Sequence, residues 1–211
     1  MEKTESFATE QKPKTKSTEK ATKDKPEMIL EIVKYPDPVL RAKGAPISEI
    51  NEEIRELADG MIETMHAANG VGLAAQQVGK TIQLTVIDVA DVEDRPSTMT
   101  IDGENVDLRE WMPLVLINPQ LELDKARVSG VEGCLSFPEI TGEIERSVFV
   151  KARARLLDGR DLEFEATGLL ARALQHEVDH LNGVLFIDRM NSAAKVGLAG
   201  KLKRMQKESR K

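Results

Sequence analysis

The chain has 211 residues, 40% hydrophobic and 31% charged, with a formal net charge of −6 and a single cysteine, Cys134. That is enough for one core of ordinary size with residues left over for tails, and no apolar run approaches the roughly 18–20 residues that span a bilayer. One cysteine excludes an intrachain disulfide and fits a reducing compartment, where the thiol can bind metal, react, or simply fill space. The acidic balance gives no reason to expect a nucleic-acid-binding surface over the whole body, DNA included.

Residues 1–27 are mostly Lys, Glu, Thr and Ser, with too little apolar surface to offset ordering entropy, and are expected to be disordered. They lack the apolar stretch of a signal peptide. Glu2, Glu5, Glu10, Glu19, Asp24 and Glu27, with no Arg, also argue against an organelle transit peptide. Met28 opens the first folded-looking segment and is a candidate alternative translation start. Tyr35-Pro36-Asp37-Pro38-Val39-Leu40-Arg41 reads as a proline-stiffened extended turn. A helix follows, capped by Asn51 with Glu52 and Glu53 in its first turn. Ile50, Ile54, Leu57, Ala58, Met61, Ile62 and Met65 form its apolar stripe, and Asn69-Gly70 stops it.

Beyond the helix the pattern changes to period two. Ile82, Leu84 and Val86 predict one strand and Leu114–Leu123 another. Residues 90–112 read as a long polar surface loop, or an insertion with its own hairpin around Asp102-Gly103. Residues 147–156 alternate through Val148, Val150, Ala152 and Ala154, and Asp158-Gly159 turns the chain into Leu162 and Phe164. A second helix is predicted from about Gly168 to Asn182, with Thr167 as cap and Gly183 as stop. Residues 193–211 predict a basic C-terminal helix with Lys201, Lys203, Arg204, Lys207, Arg210 and Lys211. The layout is α+β, antiparallel strands packed around a central helix, with a body over 28–192 and a basic tail over 193–211.

The central helix carries Gln175-His176-Glu177-Val178-Asp179-His180. Two imidazoles at i and i+4 can reach one cation, and Glu177 between them can handle the protons of water on it. Such a short string also arises by chance, but its helical context with an apolar face and a stop glycine favours metal binding. A third ligand is needed. A metzincin-type histidine would stand at position 186, where Phe186 is found, and Gly200–Met205 contains no gluzincin-type acid. The search therefore turns upstream, to Cys134, His66 and the carboxylates. Cys134 sits in the turn Glu132-Gly133-Cys134-Leu135-Ser136-Phe137-Pro138, as a candidate thiolate ligand or a nucleophile. Gly70-Val71-Gly72-Leu73-Ala74-Ala75-Gln76-Gln77 is either an ordinary helix-stop loop or a place where backbone approaches a ligand beside a glutamine donor.

Taken together and in this order, these three motifs resemble peptide deformylase. The resemblance extends over most of residues 28–190, including Tyr35–Arg41, Ile117-Asn118-Pro119 and Leu181–Asp188. It implies hydrolysis of the N-formyl group from the formylmethionine of nascent polypeptides, releasing formate, in a bacterial-type cytoplasm. It implies Fe2+, with Zn2+, Ni2+ or Co2+ as substitutes, held by Cys134, His176 and His180. Glu177 matches the general base and acid, and Gln77 and the Leu135 backbone N–H match the oxyanion donors. Gly72 matches a glycine whose backbone contacts the formyl group or peptide, and Arg146 resembles an arginine that helps bind peptide backbone. Val71 and Leu169 are candidate walls for the methionine side chain, and equally good core residues.

The chain departs from a minimal deformylase in its first 27 residues, in the length of 90–112, and at Glu139, where a glycine often follows the proline. The basic C-terminal cluster suggests docking to ribosomal RNA near the nascent-chain exit. Two rival readings are a zinc endopeptidase and a silent deformylase-like ribosome-binding module.

Overall fold

A computed structural model describes residues 28–209 of the protein. The expected disorder of 1–27 and the last two basic residues of the tail lie outside the described residues. The elements in chain order are α1 (Glu52–Ala67), β1 (Gly72–Ala74), β2 (Leu84–Ile87), β3 (Ser97–Ile101), β4 (Glu104–Asn105), β5 (Leu114–Leu123), β6 (Arg127–Gly133), β7 (Thr141–Ser147), β8 (Phe149–Arg155), β9 (Asp161–Thr167), α2 (Gly168–Leu181), the single turn α3 (Phe186–Arg189) and α4 (Ser192–Glu208). Seven strands form one antiparallel sheet in the order β1-β2-β5-β8-β9-β3-β4, and β6 and β7 pair as a separate hairpin. This is the expected α+β arrangement, with α2 lying across the sheet.

Local chemistry explains most element boundaries. The Asn51 side chain accepts from the Ile54 N–H at 3.1 Å, so α1 starts where its cap predicts. Val150, Ala152 and Ala154 on β8 face Ala166, Phe164 and Leu162 on β9 from one buried side. On the other side Arg153 pairs with Glu163 and Arg155 with Asp161, so both faces hold the register. Asn118, at φ 51°, sits in a bulge of β5, and its amide makes two 2.8 Å bonds to the Ile47 backbone.

Four local expectations are corrected. Ile82 precedes its strand, making only an isolated bridge to Ala45. Val148 lies exposed between β7 and β8, so the buried alternation begins at Val150. Residues 90–112 are not merely a surface loop. Asp102-Gly103, both at positive φ, close the expected hairpin, but β3 also pairs with β9 and extends the main sheet. Thr167 does not cap α2 with its side chain; its hydroxyl meets that of Thr98. The α2 cap comes from β3, whose Ser97 Oγ accepts from the Leu170 N–H at 2.9 Å.

Three apolar clusters hold the molecule. The largest joins Leu116, Val150, Phe164 and their neighbours on the sheet to Leu170 and Leu174 of α2. The second packs α1 on β1 and β2 through Met61, Met65, Leu73, Leu84 and Val86. The third gathers Leu40, Phe137, Ile140, Ile144, Leu185 and Phe186, with Leu198, Leu202 and Met205 of α4 laid against it. The basic C-terminal helix is therefore docked on the body rather than trailing from it.

Candidate active site and metal centre

Twelve of the fourteen residues of α2 are buried, among them the polar Arg172, Gln175, His176, Glu177, Asp179 and His180. A helix buried on nearly every face must satisfy its polar side chains with protein partners or ligands. Gln175 does so by bonding the Ser147 backbone at both ends, accepting at 2.9 Å and donating at 3.1 Å. His176 and His180 turn toward Cys134, which the β6–β7 hairpin and the turn after β6 bring over the helix. Cys134 Sγ lies 3.2 Å from His180 Nε2, and one donor atom from each of the three residues lies within 4.8 Å of the others. His66 is elsewhere, paired with Asp88 near the surface.

One thiolate and two imidazoles suit a divalent transition metal, and three protein ligands leave a coordination position open, as catalysis at a metal requires. The surroundings fit such a group. Burial holds His180 well below the usual imidazole range, keeping it neutral and able to ligate. Oε2 of Glu177 is buried with no partner among the described residues.

Burial, reinforced by the charge of Glu132, raises the Glu177 pKa to about 7 against the opposing charge of His176. Gly72 makes room for that carboxylate: a Cβ there would stand 2.4 Å from Glu177 Oε1 and 2.8 Å from Cδ. The resemblance places the Gly72 backbone at the formyl group or peptide; a side chain there would meet the acid itself. Gln77 reaches the same point from the loop after β1. Its Oε1 accepts from the Ala74 N–H at 2.8 Å, which aims Nε2 at Cys134 Sγ, 3.5 Å away, and at Ser136 Oγ, 3.3 Å away.

These groups open onto a cleft of about 630 Å3. Val71, Gly72, Gln77, Leu135, Leu169 and Glu177 all line it, so the structure brings together six of the seven non-ligand residues singled out in the sequence. Val71 and Leu169 also pack on the largest core cluster, and so serve as both wall and core.

Arg146 is the exception. It is buried behind α2, outside the cleft lining, and grips Glu132 through Nε at 2.9 Å and Nη2 at 3.0 Å. Its Nη1 meets Asp179, which Arg189 also holds. Glu132 in turn accepts from Arg172 at 2.8 Å and faces His176 Nδ1 at 3.0 Å. Arg146 thus orients His176 through a carboxylate, the arrangement that fixes ring and tautomer where a histidine holds a metal.

Sequence reasoning missed Glu132 and Asp179 in these roles. The available signal was strand alternation: Arg146 stands two residues from buried Ile144 on β7, hence faces inward, and a buried guanidinium needs buried acids.

The polypeptide deformylase family model matches residues 29–196. The chain belongs to the polypeptide deformylase family. Peptide deformylase of Methylacidiphilum infernorum is 43% identical over 180 residues, covering 85% of this chain and 94% of the relative. That of Thermodesulfovibrio yellowstonii is 45% identical over 163 residues, 77% of this chain and 90% of the relative. Among solved structures, Arabidopsis thaliana peptide deformylase 1B with an inhibitor superposes with a TM-score of 0.73 at 38% identity, covering 85% of this chain and 92% of that one. The Thermotoga maritima enzyme gives 0.64 at 39% identity, covering 77% and 98%. The activity is therefore that of peptide deformylases, hydrolytic removal of the N-formyl group from nascent polypeptides by a metal-dependent enzyme.

Proposed function

We propose that Cys134, His176 and His180 hold the cation for this deformylation and that Glu177 moves its protons. The observation that carries the reading is the three-donor cluster with a buried carboxylate beside it, whose Oε2 has no partner among the described residues, in a cleft. A divalent cation held there supplies Lewis acidity, acidifying water and polarising the formyl carbonyl. The mixed sulfur and nitrogen donor set accepts Fe2+, which we take as the native ion, and also Zn2+, Ni2+ or Co2+.

Glu177 receives a proton from the attacking water and returns it to the leaving amine, a task suited to an acid that titrates near neutrality. Gln77 Nε2 and the Leu135 N–H donate to the oxyanion that develops on the formyl oxygen. Val71 and Leu169 wall the pocket for the methionine side chain, and the Gly72 backbone, lining the cleft beside Glu177, sits at the formyl group. An endopeptidase reading lacks a downstream ligand: Phe186 is packed among Phe137 and its neighbours, with its ring centroid 6.1 Å from that of His176.

Formate release from formyl-Met-Ala-Ser by anaerobically purified protein tests this directly. Chelation is expected to abolish release and Fe2+ to restore it, while casein stays uncut. Casein cleavage without formate release would overturn the reading.

The work site is the nascent chain, so we place the protein in the cytoplasm, with the ribosome as a transient partner through the outward side of α4. Lys195, Lys203 and Lys207 stand exposed there, and clustered cations bind RNA phosphate electrostatically. K203E/K207E is expected to lose salt-sensitive ribosome co-sedimentation; unchanged sedimentation would end that idea. No helix among the described residues is long and apolar enough to cross a membrane.

A further inference from the structure

The cleft does not stop at its rim. It shares Lys34, Pro138, Glu139 and Ile140 with a second groove of about 370 Å3, closed on its far side by Lys201, Arg204, Met205 and Glu208 of α4. The α4 wall is fixed in place. Leu198, Leu202 and Met205 pack on the third core cluster, and Gln206 Nε2 donates to the Tyr35 hydroxyl at 2.8 Å. Lys201 Nζ reaches the Glu139 carbonyl at 3.4 Å, bridging the groove to the turn after Cys134. At the seam, Lys34 Nζ is held by the Leu135 carbonyl at 2.6 Å, so a cation stands where cleft becomes groove.

A formylated nascent chain reacts at one end only, and the rest of it must leave the cleft. A cavity of about 630 Å3 falls in the range that takes a drug-sized ligand, roughly three residues of extended peptide. The chain beyond that point needs a path over the rim, and the groove under α4 is continuous with the cleft. Its floor of Pro138, Ile140 and Met205 is apolar and its edges are charged, which fits a strand whose side chains alternate between floor and edge. Lys34, Lys201 and Arg204 outnumber Glu139 and Glu208, and none of the three cations is held in an ion pair among the described residues.

We infer that the groove between α4 and the 138–140 turn extends the substrate site, taking the residues beyond the third of a formylated chain and favouring acidic side chains there through Lys34, Lys201 and Arg204. This rests on the deformylase reading above and adds to it a selection among nascent chains.

The test compares formyl-Met-Ala-Ser with the same peptide extended by three Asp or by three Lys, on metal-loaded full-length protein. The Asp-extended peptide is expected to exceed the Lys-extended one in kcat/KM by about fivefold, as a few exposed charge pairs allow. The difference should lie in KM and shrink at high salt. In K201E/R204E the order should reverse while formyl-Met-Ala-Ser is turned over as before, which also shows that the variant folds. Fluorescence anisotropy of labelled Met-Ala-Ser-Asp-Asp-Asp and its Lys counterpart on metal-free protein should give the same ordering without turnover. Equal values for the two extended peptides, or an order unchanged in the variant, would overturn the groove assignment and leave the deformylase reading intact. No formate from any of the three peptides would overturn that reading instead.

Discussion

Glu177 is held in a state that an isolated helix would not give it. Burial raises it to about 7, so at neutral pH the fold carries the cost of a partly ionised carboxylate without its hydration. A carboxyl whose folded pKa lies above its unfolded value of 4.5 favours the folded state least at high pH: its destabilisation sets in as pH rises through 4.5 and is complete above about 7. Glu177→Gln should therefore retain metal, lose turnover by at least about a hundredfold, and stabilise the metal-free protein at pH 8 by up to about 3 kcal/mol. The gain should vanish near pH 5, and urea midpoints at the two pH values, with metal analysis and formate assays, check all three parts. Full activity would remove Glu177 from the mechanism. Glu139 is a second local departure. It adopts φ 61° after Pro138, which explains why a glycine suits that position.

At the scale of elements, α2 depends on a strand far from it in sequence. Gly168 enters the helix at φ 64° with the Pro96 carbonyl so close that a Cβ would meet it at 2.0 Å. Ser97, next in that chain, supplies the hydroxyl that caps the Leu170 N–H. The segment that reads as a polar loop thus closes the N-terminus of the metal-bearing helix and adds two strands to the sheet. Ser97→Ala is expected to destabilise the protein by about 1 kcal/mol, with faster amide exchange in the first turn of α2 and little change in metal affinity. Unchanged exchange at Leu170 would show that the cap contributes nothing. The β6–β7 hairpin is tied to the same helix by Arg172, which donates to the carbonyls of Val128 and Ile144 at 3.0 and 2.9 Å.

Over the whole molecule, one chain of charges joins β6, β7, α2 and α3, buried from Arg172 and Arg146 on Glu132 to Asp179 and surfacing at Arg189. Burial alone would raise Glu132, but hydrogen bonds from His176 and Arg146 and their charges bring it down to about 2. Its folded pKa is depressed from 4.5, so the stability it contributes is present above that value and is lost as pH falls from about 4.5 toward 2. The loss is on the order of 3 kcal/mol. Urea midpoints of metal-free protein should drop across that window, and Arg146→Met, destabilised at neutral pH, should show a shallower fall. An equal fall in both would place the acid sensitivity elsewhere.

Much of this protein is legible along the chain because its signals are local. The Asn51 cap, the Asp158-Gly159 hairpin, the Leu114–Leu123 strand and the His176–His180 spacing depend on neighbours a few residues away. The motifs around Gln77 and Cys134 added a candidate ligand and a candidate donor that spacing alone left open. What only the tertiary structure decided involves partners far apart in sequence. Arg146 pairs with Glu132 because alternation on β7 aims it inward, where an unpaired charge would be prohibitive. Ser97 replaced Thr167 as the cap because β3 joins the sheet beside the start of α2. Gly72 proved to be space for Glu177, a contact between the start of β1 and a helix about a hundred residues apart. The basic helix became a wall of the substrate groove once its Leu198, Leu202 and Met205 found the third core, since burial of an apolar face, rather than the charges beside it, sets where a helix lies.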